Sequence, residues 1–323
     1  LIPIISVPTD WRYIVSWTLG GALLSALFAA LALQKTLWEN FTINTTMLSK
    51  IIRYSWAIPF GAIGAYLVNW VDAWVIRVFL GTTFVGLYQW AYQISAIGPM
   101  IFAPLGVILT PGMVDARLDG DEMKLSRHGH RSLKAMILMG LLGTIALIFI
   151  YPIILIIGNM EYIRTYSVIL ILISVIPFQF VGYLMNPIKA AFEKIISKLA
   201  LLSLGAAAVN LLGDLWLVPI IGINGAALAT AITFALSGLL QVWLIMFYVQ
   251  GFPKANDFII SGLIMPAGAL SLYFLGPILG AIACLFISLG MLIVIKEIGL
   301  FSNEDVEWIA TLVPNNIQPY IQG

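Results

Sequence analysis

Apolar residues along this chain run in unbroken stretches of about twenty positions that end at short clusters of charge. They do not alternate, as in a half-buried strand, and they do not form one-sided stripes. The stretches fall at roughly 13–33, 54–80, 84–114, 133–157, 165–185, 199–218, 223–249, 258–275 and 277–295. A helix rises 1.5 Å per residue, so about 20 apolar residues cross the roughly 30 Å hydrocarbon layer. The pattern therefore predicts an all-α, polytopic transmembrane helical bundle of about nine spans. No intervening stretch exceeds about 30 residues, which leaves no room for an extramembrane catalytic domain. Continuous rather than alternating apolar runs exclude a transmembrane β-barrel.

Composition adds that 61% of the residues are hydrophobic and only 10% charged. A soluble domain carries about 25% charged residues, so a soluble globular chain and a disordered one are both excluded. A net charge of +1 supplies no field that would recruit nucleic acid. One cysteine, Cys284, and two histidines, His128 and His130, suggest neither a disulfide framework nor a metal site, and no cofactor is expected.

The sixteen basic residues are unevenly divided. Lys35, Lys50 and Arg53 follow the first stretch, and Arg117, Lys124, Arg127, Arg131 and Lys134 lie around the connection after the third. Lys189, Lys194 and Lys198 surround the connection after the fifth, Lys254 follows the seventh and Lys296 the ninth. Only Arg12, Arg77 and Arg164 fall at the alternate connections. By the positive-inside rule the richer side is cytoplasmic. The chain then enters from outside and ends inside a cytoplasmic (inner) membrane. That outside start, together with a first residue that is Leu1, reads as the C-terminal portion of a longer protein.

Several spans carry helix-breaking residues: Pro59, Gly61 and Gly64 in the second, and Gly98, Pro99, Pro104 and Gly106 in the third. Proline removes a backbone donor, and in lipid such breaks survive against protein or a wet cavity. Small residues at Ala57, Gly61 and Ala65, at Gly205 to Ala208, and at Gly276 and Gly280 let helices approach closely. Residues 115–132 read as a solvated cytoplasmic loop. Ser302 and Asp305 form a capping-box pattern that opens a short helix on the membrane surface.

Three passages carry a family resemblance. The first is Asp72-Ala73-Trp74-Val75-Ile76, followed by Leu80-Gly81, Val85-Gly86-Leu87-Tyr88 and Ala91-Tyr92. The second is Gly158-Asn159-Met160-Glu161-Tyr162. The third is Asn210, Pro219, Ile221-Gly222-Ile223 and Gly225-Ala226-Ala227-Leu228-Ala229-Thr230. In order and spacing they resemble the Wzx-like polysaccharide flippases of the multidrug/oligosaccharidyl-lipid/polysaccharide (MOP) exporter superfamily. The resemblance implies two six-helix lobes around a central cavity, followed by two terminal helices. Residues 1–50 would hold the last helix of the first lobe and a cytoplasmic connection, 51–250 the second lobe, and 251–323 the terminal helices and a cytoplasmic tail. It implies a transporter rather than an enzyme. The transporter flips a polyprenyl-pyrophosphate-linked oligosaccharide by alternating access for cell-surface polysaccharide synthesis. Its partners would be the lipid-linked oligosaccharide, membrane lipid and other polysaccharide-assembly proteins, with no nucleic acid. A cation-coupled multidrug antiporter of the same superfamily is the alternative. It would want ionisable residues in the cavity, and apart from Asp72 the spans are poor in them.

Against that background, six residues are candidate substrate contacts. Asp72 and Arg77 are either a charged pair at the cavity mouth or an interfacial helix-end pair. Arg53 is either a pyrophosphate contact or a positive-inside anchor. Tyr92 belongs to a row with Tyr88 and Ser95, and Gln89 and Gln93 form a second row beside it. These polar rows suit either sugars in a wet cavity or bonds between helices. Asn210 reads as a deeper hydrogen-bonding residue, and Asp214, near Trp216, as an interfacial one.

Overall fold

The computed structural model describes residues 11–38, 45–157 and 160–300. The expected surface helix from Ser302 and the Gly158-Asn159 part of the second passage lie outside the described residues. Among the described residues every regular element is helical and there is no strand. The chain divides into two units at 54/55. In the first, α1 (Trp11–Trp38) is apolar on all sides and α2 (Thr45–Ser55) is amphipathic.

The second unit is a bundle of long helices. α3 (Ile58–Phe79) and α4 (Thr82–Leu118) are followed by α5 (Glu122–Leu147) and α6 (Ile150–Ile157). A 3-10 turn (Met160–Thr165) leads into α7 (Tyr166–Ser174), α8 (Ile176–Ala191) and α9 (Glu193–Ile221). α10 (Ile223–Met246), α11 (Ala255–Gly262) and α12 (Ile264–Ile298) complete it. Six described helical stretches are long and apolar enough to cross a membrane, seven if α5 and α6, bent by 50°, make one span. The protein is thus a multi-pass membrane protein.

The prolines occupy two settings. Pro59 lies in the first turn of α3, where its missing N–H has no helical partner to lose. α4 remains assigned as one helix through Pro99, Pro104 and Pro111. At 37 residues it is about 55 Å long and overshoots the hydrocarbon layer. That overshoot also corrects the loop expected at 115–132. These residues are the ends of α4 and α5, joined by a tight turn at Asp119-Gly120-Asp121. Asp121 caps α5 by accepting from the Lys124 N–H at 2.8 Å, and Arg117 pairs with Glu122 at 2.9 Å.

The basic connections converge at one end of the bundle. Ser126 donates to the Gly251 carbonyl at 2.7 Å, the Arg117 guanidinium lies 4.4 Å over the Phe192 ring, and Lys198 donates to the Tyr248 hydroxyl at 2.9 Å. This agrees with the alternation read from the basic residues.

Small residues set the closest helix contacts. A Cβ on Gly64 of α3 would come within 2.6 Å of the Ser203 backbone on α9, and one on Gly225 of α10 within 2.5 Å of Leu217 on α9. Helices α3, α9 and α10 therefore touch nearly backbone to backbone. Gly222 (φ 65°) turns α9 directly into α10. The two terminal stretches separate where expected. At Gly276 (φ 78°, ψ 175°) the path of α12 breaks, and Pro277 starts the next helical segment. A Cβ on Gly280 would meet Leu272 at 2.5 Å, and Cys284 donates its thiol to the Gly268 carbonyl at 3.4 Å. Residues 264–275 and 277–298 thus fold back on each other as a hairpin, which packs on α5 and α7.

Candidate functional site

Two acids meet inside the second unit. Asp72 sits two turns before the end of α3, with only 1% of its surface exposed, and Asp214 of α9 is fully buried. Asn210, one helical turn before Asp214, sends its amide nitrogen to both, at 2.5 Å to Asp72 Oδ1 and 3.4 Å to Asp214 Oδ2. Asp72 Oδ2 also accepts from Thr230 Oγ1 of α10 at 2.7 Å and from the Tyr88 hydroxyl of α4. Four helices, α3, α4, α9 and α10, therefore contribute to one carboxylate.

The cluster is oversupplied with acceptors. Asn210 Oδ1, Asp214 Oδ1 and, one turn along α10 from Thr230, Thr233 Oγ1 are buried without a hydrogen-bond partner. Two carboxylates bracketing one neutral amide repel each other, and lipid supplies no screening. Such a group is costly to bury unless a cation accompanies it. The unpartnered oxygens are the ligand type that a proton or a hard cation prefers. Among the described residues no three acid, His or Cys side chains cluster as a transition-metal site would require.

Next to this cluster lies a cavity of about 480 Å³ between α3, α4, α7, α8, α9 and α10. Its wall shares a helix turn with the cluster. Asn69, three residues before Asp72, lines the cavity and accepts from the Tyr92 hydroxyl at 2.5 Å. Tyr92 lies one turn from Tyr88, with ring centroids 6.2 Å apart. Further polar groups on the wall are Gln179, Asn186 and Gln241.

The structure separates the six candidates. Asp72 is central, but not as half of a charged pair at the cavity mouth. Arg77 is exposed at the last turn of α3, five residues or about 140° round the helix, and no ion pair joins the two among the described residues. Tyr92 and Ser95 line the cavity, as one reading of their row requires, whereas Gln89 is half-buried and Gln93 exposed, and neither lines it. Arg53 lies on α2 in the first unit, and its side chain is outside the described residues. Trp216 is exposed, whereas Asp214, two residues before it, is buried within the protein and turns inward to Asn210. Asn210 bonds between helices as expected. The four-residue spacing of Asn210 and Asp214 within an apolar span was the available signal that both share one inward face.

Comparison with known proteins agrees with the resemblance. Residues 4–116 match the family model described as polysaccharide biosynthesis protein, a range that contains the Asp72-to-Tyr92 passage. No curated protein matches the chain by sequence. Two solved structures resemble it in fold. One is a MOP superfamily transporter from Pyrococcus furiosus, at 18% identity and a TM-score of 0.50, covering 69% of this chain and 53% of that one. The other is a multidrug resistance MATE family transporter of the same superfamily in an outward-facing conformation. It has 17% identity and a TM-score of 0.46, and covers 84% of this chain and 61% of that one. The chain thus spans little more than half the length of the transporters it matches, and its fold is similar to that of the Pyrococcus furiosus transporter.

Proposed function

We propose that this chain supplies one lobe of a cation-coupled flippase that moves a polyprenyl-pyrophosphate-linked oligosaccharide across the cytoplasmic membrane. The carrying observation is the adjacency of the two sites: an acid cluster fit for a cation shares a turn of α3 with the wall of a polar cavity. The amides and hydroxyls of Asn69, Tyr92, Gln179, Asn186 and Gln241 offer both donors and acceptors, as sugar hydroxyls demand. The family match to polysaccharide biosynthesis proteins supports the same substrate class.

In this reading Asp72 is the coupling residue. Neutralising the Asp72–Asp214 pair removes a repulsion between α3 and α9 and changes what Asp72 accepts from α4 and α10. Gaining or losing the cation therefore changes how α3 packs against α4, α9 and α10, and Asn69 and Tyr92 carry the change to the cavity wall. Differential affinity of the two lobe arrangements for the cation is what drives alternating access. Residues 117–134 and 189–198 would face the cytoplasm, and the sugar would cross while its lipid tail stays in the bilayer.

The buried acid pair also favours a second reading, a cation-coupled multidrug antiporter, because it provides the ionisable centre that such an exchanger needs. The two separate in one experiment. The full-length protein is expressed in a strain lacking its own flippase, and surface glycan and resistance to cationic dyes are scored together. Restored glycan with unchanged dye resistance supports the flippase. Raised dye resistance without glycan replaces it with the antiporter.

A further inference from the structure

Helix α8 presents Gln179, Tyr183, Asn186 and Lys189 to the cavity at spacings of four, three and three residues, which is one helical face. Across from it, α10 presents Ser237 and Gln241. Gly238 allows this approach, since a Cβ there would lie 2.5 Å from the Phe178 carbonyl oxygen. Lys189 Nζ donates to Gln241 Oε1 at 2.6 Å and to the Gly182 carbonyl at 3.2 Å.

Lys189 is the one basic residue among those lining the cavity, and no acid lines it. Among the described residues no carboxylate comes within ion-pair distance of Lys189. An ammonium withdrawn from water needs a counter-charge, and two neutral carbonyl oxygens orient it without neutralising it. It has three N–H donors and spends two on these oxygens, leaving one for a ligand in the cavity. On the same face Gln179 Oε1 is buried without a partner, an acceptor left for a sugar hydroxyl beside the oxyanion.

We propose that Lys189, steadied by Gln241, is an anion subsite that takes a single oxyanion, carboxylate or phosphate, carried on the transported sugar head group. This rests on the flippase reading and, where the oxyanion is a carboxylate, narrows it to acidic glycans. A lysine is a compact point charge suited to either oxyanion, whereas a planar guanidinium would favour two-pronged contacts.

The test uses the full-length protein in detergent and ligand-observed NMR with three probes: glucuronate, inorganic phosphate and neutral glucose. Wild type gives a saturable signal with glucuronate, with phosphate or with both, and at least fivefold less with glucose. Glucuronate alone assigns a sugar carboxylate; phosphate alone assigns a phosphate group, on the sugar or in its pyrophosphate link. Lys189→Gln abolishes the oxyanion signal, and Lys189→Arg retains it at least in part. Gln241→Glu places a carboxylate against the intact lysine and abolishes the signal too, a result that misfolding does not mimic if the thermal midpoint is kept. Oxyanion binding by Lys189→Gln equal to wild type, or glucose binding equal to glucuronate, overturns the proposal. The readout requires no flipping, so loss of transport activity with oxyanion binding intact refutes the flippase and leaves the subsite standing.

Discussion

Asn210 on α9 donates its side-chain amide to Asp72 on α3 at 2.5 Å, across 138 residues of sequence. The bond lies on the same α3–α9 contact that Gly64 makes close. Replacing Asn210 with Ala leaves Asp72 Oδ1 and Asp214 Oδ2 without their shared donor. A buried group left unsatisfied costs about 1–3 kcal/mol, more if charged. Asn210→Ala should lower the thermal midpoint of the purified protein, and Asp72→Asn added to it should cost less than the two changes summed. Strict additivity would mean that the two side chains do not interact.

The glycine contacts make a separate prediction. Gly64→Ala and Gly225→Ala each force a methyl group into a neighbouring backbone, and overpacking of this kind costs about 1–3 kcal/mol. Gly86→Ala, on an open face of α4, should be neutral or slightly stabilising. Equal midpoints for all three variants would refute the close packing of α3, α9 and α10.

The terminal hairpin can be trapped. Ser271 Oγ and Cys284 Sγ lie 3.7 Å apart on its two arms. Ser271→Cys should form a disulfide with Cys284 under mild oxidation, seen as loss of both free thiols by mass spectrometry. A straight α12 would keep residues 271 and 284 about 20 Å apart and leave both thiols free.

Much of this fold was legible because lipid imposes one rule, that a span is a long apolar helix. The segment limits, the turn at Gly276 and the shared side of the basic connections all follow from it. The acid cluster was not legible in the same way. Asp72 lies toward the end of an apolar run and reads as a helix-end charge. Its burial comes from partners 138 and 158 residues away, Asn210 and Thr230, and from Tyr88 on the next helix. Lys189 was similarly concealed, because a base at the end of a span usually marks the cytoplasmic side. Its role depends on Gln241, which only the packing of α8 on α10 brings near. The prolines were legible as residues held against protein or a wet cavity: Pro99 lines the cavity, while Pro59 opens α3, where a proline costs nothing.

Sidedness is open to chemical labelling. Arg127 and Glu161 are both exposed and lie at connections of opposite type. In a cysteine-free background a cysteine at 161 should react with an impermeant maleimide in intact cells, and one at 127 only after permeabilisation. The reverse pattern would invert the proposed direction of transport.

The central claim is that the Asp72 cluster couples a cation to movement of the sugar lipid. Its most direct test is transport of a fluorescent lipid-linked oligosaccharide by full-length protein in proteoliposomes, with Na⁺ and H⁺ gradients imposed separately. The account predicts that one of the gradients accelerates flipping at least tenfold. It also predicts that Asp72→Asn abolishes that acceleration while the protein stays folded and still binds the oligosaccharide. Flipping by Asp72→Asn that responds to the gradient as wild type does would contradict it.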